Sequence, residues 1–420
     1  MFQRTVLDNQ LRVLTASMPH TTSVSVVVSV GAGSRYESPE LAGVSHFLEH
    51  LPFKGTQRWP TAREVSEAIE GVGGVMNAST DREMTVFWCK VARPHFRQAL
   101  DVVMDLVLHP LLDPVEVEKE REVVQEELRM TNDYPSNRAD LLIDEALWPE
   151  QAMGRDVGGT PESVGAIPLN NIRAYLERQY RPNNAVVSVA GNVTHDEVVA
   201  LVSEATHHWT PQEPLPWEPV ALGSVEPVVL VEQRRSDQAH VCVGLPGLSL
   251  TDPDRYAFAM MNVVLGDGMS SRLFLNLREK QSLAYDVHSS VQNFRDCGSL
   301  TVYCGVEPKK TREAVQGVVR ELNAMREQVP DKELAKAKEY TKGRLLLRLE
   351  DSRAVAAWLG SQELLLGEVE TLDRVVAGID SVTQEDVARV AQRLVKEDDL
   401  RLAVVGPHRS SQSLRKLLRF

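Results

Sequence analysis

The sequence has little of several things that would classify a protein at once. Only four of its 420 residues are cysteine, Cys89, Cys242, Cys297 and Cys304, and they are scattered without a C-x-x-C pair. That scatter argues against a disulfide framework and suits reduced thiols in a cytoplasmic protein. No apolar run is long enough to cross a bilayer, and "SVSVVVSV" at 23–30 has only the length of a strand. The opening "MFQRTVLDNQ" lacks the basic and apolar regions of a secretory signal. Positive charge is also in deficit: 46 Lys and Arg stand against 59 Asp and Glu, a net charge of -13. Neither nucleic acid nor an anionic membrane is an expected partner for such a surface.

What remains is ordinary globular composition, 43% hydrophobic and 25% charged, in a chain too long for one compact core. The stretch "TPQEPLPWEP" (210–219) holds four prolines in ten residues and reads as an extended connector. The expected division is therefore 1–209, a connector at 210–219, and 220–420. The two halves share an order of signals. In the first, the strand "SVSVVVSVGAG" precedes helical sequence through residue 55, and Thr61 with Glu64 forms a capping box ahead of "AREVSEAIE". The strand pair "VMNAST" and "MTVFWCKV" and the helix "PHFRQALDVVMDLVLHP" follow. In the second, "HVCVGLPGL", "RYAFAMMNVVLG", "SSRLFLNLREK", "LAYDVHSSV", "SLTVYCGV" and "KKTREAVQGVVRELNAM" give strand, helix, helix, strand, strand and helix. Each half closes on a similar strand, "NAVVSVAGNV" or "LRLAVVGP". The expected fold class is α+β, with two homologous domains of mainly antiparallel sheet packed with helices.

One short segment carries chemistry. Residues 38–51, "SPELAGVSHFLEHL", read as a helix with Ser38 as N-cap and Pro39 in its first turn. At ~100° per residue, Leu41, Val44, Leu48 and Leu51 form a buried stripe, and His46, Glu49 and His50 gather on the other side. Two His at i and i+4 can reach one metal ion, with a Glu at i+3 beside them as a proton acceptor. The plain alternative is a solvated polar face. A catalytic zinc takes three protein ligands, so a third must come from elsewhere. In "DPVEVEKEREVVQEELRM" (113–130), Val117, Val124 and Leu128 mark a buried stripe that Glu120 and Glu127 flank, whereas Glu126 points to solvent. A carboxylate beside apolar surface needs a compensating cation. That favours Glu127 as ligand and Glu120 as a supporting carboxylate; a helix rich in Glu for propensity fits the spacing equally well.

H-x-x-E-H with a Glu 77 positions after His50 resembles the inverted-motif zinc peptidases, the family of mitochondrial processing peptidase, pitrilysin and insulin-degrading enzyme. Six further stretches occur in the family's order: "HFLEHLPFKGT", "GGVMNASTDREMTV", "EKEREVVQEELRM", "LNNIRAYLERQYRPNNAVVSVAGNV", "GMSSRLFLNLREKQSLAYDV" and "AVVGP". The length is similar to that of short two-domain bacterial members.

The resemblance implies His46, His50 and Glu127 as zinc ligands, Glu49 as general base and Glu120 as the second carboxylate. It implies that Asn77 lies where a sheet edge receives extended substrate, and that Arg278 and Tyr285 serve substrate and oxyanion. It implies a zinc-dependent endopeptidase enclosing unfolded peptides in a clamshell chamber. Both residue sets on one chain favour a homodimer with composite sites, a heterodimer with a related chain being the variant. The rival expectation is a non-catalytic or partner-dependent subunit. The sequence departs from the family pattern at Pro52, Asp267 and Ser282, and in "DRYAFAMMNVVLG" it has no His where a second metal helix would stand. A phosphate-cradling reading of "GVGG" or "GDGMSS" fails for want of a helix start and a Lys.

Overall fold

In the computed structural model, which describes residues 2–221 and 228–420, the strands form two sheets. The first contains β1 (Gln3–Val6), β2 (Arg12–Ser17), β3 (Ser23–Val30), β4 (Val75–Thr80), β5 (Thr85–Ala92) and β6 (Ala185–Gly191), in the order β1-β2-β6-β3-β5-β4. The second contains β7 (Val228–Gln233), β8 (Ala239–Pro246), β9 (Ala284–Asn293), β10 (Gly298–Val306) and β11 (Arg401–Gly406), in the order β7-β11-β8-β10-β9. Set β1 aside and the orders coincide. Each sheet has one parallel pair, β2 with β6 or β7 with β11, and is otherwise antiparallel. The duplicated α+β architecture expected from the sequence is present.

Why β3 is buried along nearly all its length follows from its central place. Val24, Val26, Val28 and Val30 enter the core beneath α1 (Val44–His50), α2 (Ala62–Glu70) and α3 (Phe96–Leu108). Val27 faces the opposite way, toward the helix Ser352–Leu366, and Ser25 Oγ hydrogen-bonds Ser352 Oγ at 2.9 Å there. With helices on both faces, even Ser25 and Ser29 of the alternating serines are buried. The expected capping box of α2 is formed: Thr61 accepts from the Glu64 amide, and the Glu64 carboxylate accepts from the Thr61 amide.

The compact units interleave the two halves of the chain. One comprises Met1–Arg129, Asp156–Glu218 and Leu345–Thr371; the other comprises Met130–Arg155, Pro219–Arg344 and Leu372–Phe420. So α5 (Pro135–Leu147), which follows α4 (Pro114–Asp133), packs on β8 and β11, while Ser352–Leu366 packs on β2, β3 and β6. Gly360 permits that approach, since a Cβ there would lie 2.8 Å from Ser188 Oγ and 2.9 Å from Ser29 Oγ. A division at the proline-rich stretch alone would assign 130–155 and 345–371 to the other unit.

Residues 210–218 have no regular secondary structure and are tied to the metal-helix unit. Asn183 Oδ1 accepts from the Gln212 amide at 3.2 Å, Gln179 Oε1 accepts from the Leu215 amide at 3.0 Å, and the Arg35 guanidinium lies 4.1 Å from the centre of the Trp217 ring.

Candidate metal centre

The metal helix is shorter than its sequence suggests. Pro39–Leu41 forms a separate 3-10 turn, Gly43 breaks the path at φ +95°, and α1 proper begins at Val44. Its end comes at His50, where Pro52 turns Leu51–Lys54 into a 3-10 turn. The buried side is nonetheless close to the expected stripe: Val44, Phe47, Leu48 and Leu51 are inside, and Leu41 is half-buried. On α4, Val117, Val124 and Leu128 are buried as expected. The Arg121 guanidinium of α4 sits 5.1 Å from the centre of the Phe47 ring of α1 and also donates to the Val164 carbonyl.

That packing gathers three ligand atoms. Nε2 of His46 and Nε2 of His50 are 3.3 Å apart, and Oε2 of Glu127 lies 3.5 Å from His50 Nε2 and 4.0 Å from His46 Nε2. Two atoms that each sit about 2.1 Å from a tetrahedral centre are about 3.4 Å apart. The observed triangle therefore fits one zinc ion with small adjustments, and its open side leaves a fourth position. His46, His50 and Glu127 form the one such group among the described residues. Glu126, in contrast, points outward and pairs with Arg129 at 3.0 Å.

The supporting shell has a clear logic around His50. Its Nδ1 lies 2.9 Å from Glu120 Oε1, and Glu120 Oε2 lies 2.6 Å from Lys54 Nζ. Both oxygens of this buried carboxylate are thus committed, so Glu120 orients the imidazole and leaves the metal to Nε2. Burial would lift the Glu120 pKa, but the hydrogen bonds from His50 and Lys54 outweigh it and hold the group below the usual carboxylate range. For His50 burial pulls downward, yet Glu120, Glu127 and Glu49 carry the net shift upward. For His46 burial dominates, with the His50 charge adding to it, and its pKa falls. Nδ1 of His46 is buried with no hydrogen-bond partner among the described residues. Glu49 is half-buried, and its carboxylate makes no hydrogen bond or ion pair among them. Lys54 escaped the sequence reading, although a Lys four places after His50 on the same face was the available signal.

The remaining candidates stand elsewhere. Asn77 lies on β4, an edge strand that pairs with β5 alone among the described residues; β4 also adjoins α1. Arg278 sits in Phe274–Lys280, seven residues of π-helix, with its guanidinium 4.7 Å from the centre of the Phe274 ring and 5.6 Å from that of Tyr285. A π-helical segment is rare and often marks a functional position. Tyr285, 77% exposed, is the second residue of the edge strand β9, and both residues line a cleft of about 660 Å³ with Ser282, Glu307 and Lys310. Ser282 adopts φ +50°, so the serine holds a left-handed turn that glycine would hold without strain. Asp267 accepts from the Tyr340 hydroxyl at 3.2 Å.

Residues 12–161 match the family profile described as insulinase (peptidase family M16), and residues 166–340 match the profile described as peptidase M16 inactive domain. An uncharacterized zinc protease of Streptomyces coelicolor is 36% identical over 98% of this chain and 91% of its own length. The chain belongs to peptidase family M16. A second relative of this M16 chain, an uncharacterized zinc protease of Bacillus subtilis, is 35% identical over 97% of this chain and 98% of its own. Among solved structures, a protease from Helicobacter pylori superposes with TM-score 0.90 at 23% identity, covering 97% of this chain and 99% of that one. As an M16 member the chain carries its H-x-x-E-H motif in the half matched to the insulinase profile and none in the half matched to the inactive domain. No helix among the described residues is long and apolar enough to cross a membrane.

Proposed function

We propose that the chain is a zinc-dependent endopeptidase acting on unfolded peptides. One observation carries this reading: the His46, His50 and Glu127 donor atoms form a triangle with sides of 3.3, 3.5 and 4.0 Å. These three residues would hold a zinc ion, which would supply Lewis acidity and a water of pKa lowered toward ~7. Glu49, its carboxylate unengaged, takes the proton of the attacking water and later delivers it to the leaving amine. Glu120 and Lys54 hold His50 in the tautomer that offers Nε2. The outer edge of β4 at Asn77 pairs with an extended substrate backbone, which favours unfolded over folded substrates. Arg278 and Tyr285, exposed beside their cleft, hydrogen-bond the substrate and the charge that develops on the scissile carbonyl.

The proposal extends to a cytoplasmic homodimer, in which the metal-bearing half of one subunit faces the Arg278–Tyr285 half of another around a clamshell chamber. Sedimentation that finds a fully active monomer would remove that part. A second reading, a non-catalytic or partner-dependent subunit, is favoured by the inactive-domain match over 166–340. Metal analysis of the purified chain, with turnover of a quenched peptide in the presence and absence of chelator, separates the two. Stoichiometric zinc and chelator-sensitive turnover by the chain alone support the enzyme; zinc without turnover supports the subunit.

A further inference from the structure

We propose that Glu37 is a positioning residue of the metal centre: its carboxylate caps α1 from outside the helix and fixes where His46 and His50 stand. This rests on reading His46, His50 and Glu127 as the zinc site. The α1 helix has seven residues and carries ligands at its third and last positions, so any fraying of its start moves His46. A helix start leaves amides without partners, and the usual remedy is Ser, Thr, Asp or Asn at the N-cap.

That remedy is closed here. The N-cap is Gly43 at φ +95°, and a Cβ at this position would lie 2.3 Å from the Gly158 carbonyl oxygen. The same close approach seats Gly158 against the metal site, since a Cβ built on it would meet His46 Nδ1 at 3.3 Å. A side chain at 43 would push away the loop that covers His46. The cap must come from a residue elsewhere, and Glu37 supplies it. Its Oε2 accepts from the Gly43 amide and its Oε1 from the Ser45 amide, each at 2.8 Å, and the residue is 5% exposed. A carboxylate at this end also suits the helix dipole.

Ser45, immediately before His46, is held a second time, because its Oγ meets the buried Tyr175 hydroxyl at 2.8 Å. Glu37 is itself anchored. Just before it, the amides of Ser34 and Arg35 donate to the carbonyls of Asp81 and Arg82 at 3.3 and 2.9 Å, in the turn between β4 and β5. The start of the metal helix is thereby registered to the hairpin whose edge strand carries Asn77.

The test compares Glu37→Ala, Glu37→Gln and Ser45→Ala with wild type in the full chain. Zinc affinity is read by competition with a chromophoric chelator, order by amide hydrogen exchange over 43–50, and catalysis as separate kcat and KM. Glu37→Ala is expected to weaken zinc binding about 10–100-fold, the range for supports behind ligands. Glu37→Gln, which keeps one carbonyl acceptor, should weaken it less, and Ser45→Ala less again. Exchange at Gly43 and Ser45 should accelerate in both Glu37 variants, and kcat should fall while KM holds. A merely structural role would lower the unfolding temperature and leave zinc affinity untouched. Folded Glu37→Gln with wild-type zinc affinity overturns the proposal whatever its exchange shows, including the case where Glu37→Ala fails to fold. Wild type that takes up no zinc sinks the peptidase reading instead; exchange at 43–46 then still decides whether Glu37 caps the helix.

Discussion

After the first long strand of each sheet, β3 or β8, the chain forms a helix, and the two helices have opposite fates. In one unit α1 buries Val44, Ser45, Phe47 and Leu48 and leaves His46, Glu49 and His50 partly accessible. In the other, eight of the eleven residues of Arg255–Leu265 are buried, and Leu372–Ser381 and Gln384–Leu394 pack over it. Strand order is the same; chemistry is not. A duplicated scaffold preserves topology because the sheet core is generic, whereas a metal site needs particular donors on a face left partly accessible. The second unit has spent that face on packing.

Breaking the first helix should have the largest effect. Chelation, or His50→Ala, is expected to abolish both stoichiometric zinc and peptide turnover. Met261→Ala in the second helix should cost about 2–5 kcal/mol of stability and leave zinc content unchanged, as unfolding curves and metal analysis will show. If Met261→Ala depleted zinc, the two helices would not be independent in function.

Finer substitutions sharpen the contrast within the metal unit. Glu49→Gln should retain zinc and lower kcat by about 10²–10⁴, the usual worth of a positioned base; full turnover would show the base misassigned. Arg278→Ala, a change in the other unit, should lower kcat by about 10²–10³ with zinc content intact, which steady-state kinetics and metal analysis will read. Turnover unaffected by that change would confine the chemistry to the metal unit. Glu120→Ala is expected to weaken zinc binding about 10–100-fold in a chelator competition. The smallest effect belongs to Glu126→Gln, whose exposed partner Arg129 does no work at the site; a zinc affinity below that of Glu127→Gln would reverse the choice of ligand.

Much of this arrangement was legible in the residues because it is local or periodic. The i, i+4 spacing of His46 and His50 puts both on one helix face whatever lies around them, and the stripe Val117, Val124, Leu128 marks which side of α4 turns inward. The capping box at Thr61 and Glu64 is similarly a matter of four consecutive residues. Other features resisted because their causes are non-local. The periodicity over 38–51 predicts a helix longer than the one that forms: nothing near Gly43 in sequence announces that Gly158 presses against it. Lys54 and Glu37 look like ordinary charged residues until the fold sets one beside Glu120 and the other beneath the start of α1. The exchange of α5 and Ser352–Leu366 between units was equally hidden, since an apolar helix face does not say which sheet it will cover.

By itself, then, the chain determined its elements, their duplicated order and the residue types able to hold a cation, through side-chain periodicity and short-range hydrogen bonding. Only tertiary packing decided that Glu127 meets the two imidazoles within 4.0 Å, that Glu120 stands behind one of them, and that a single half has an open face. Those outcomes depend on contacts between segments far apart in the chain, as with Gly43 and Gly158. Their geometry is set by how volumes fill the core, and no local pattern encodes it.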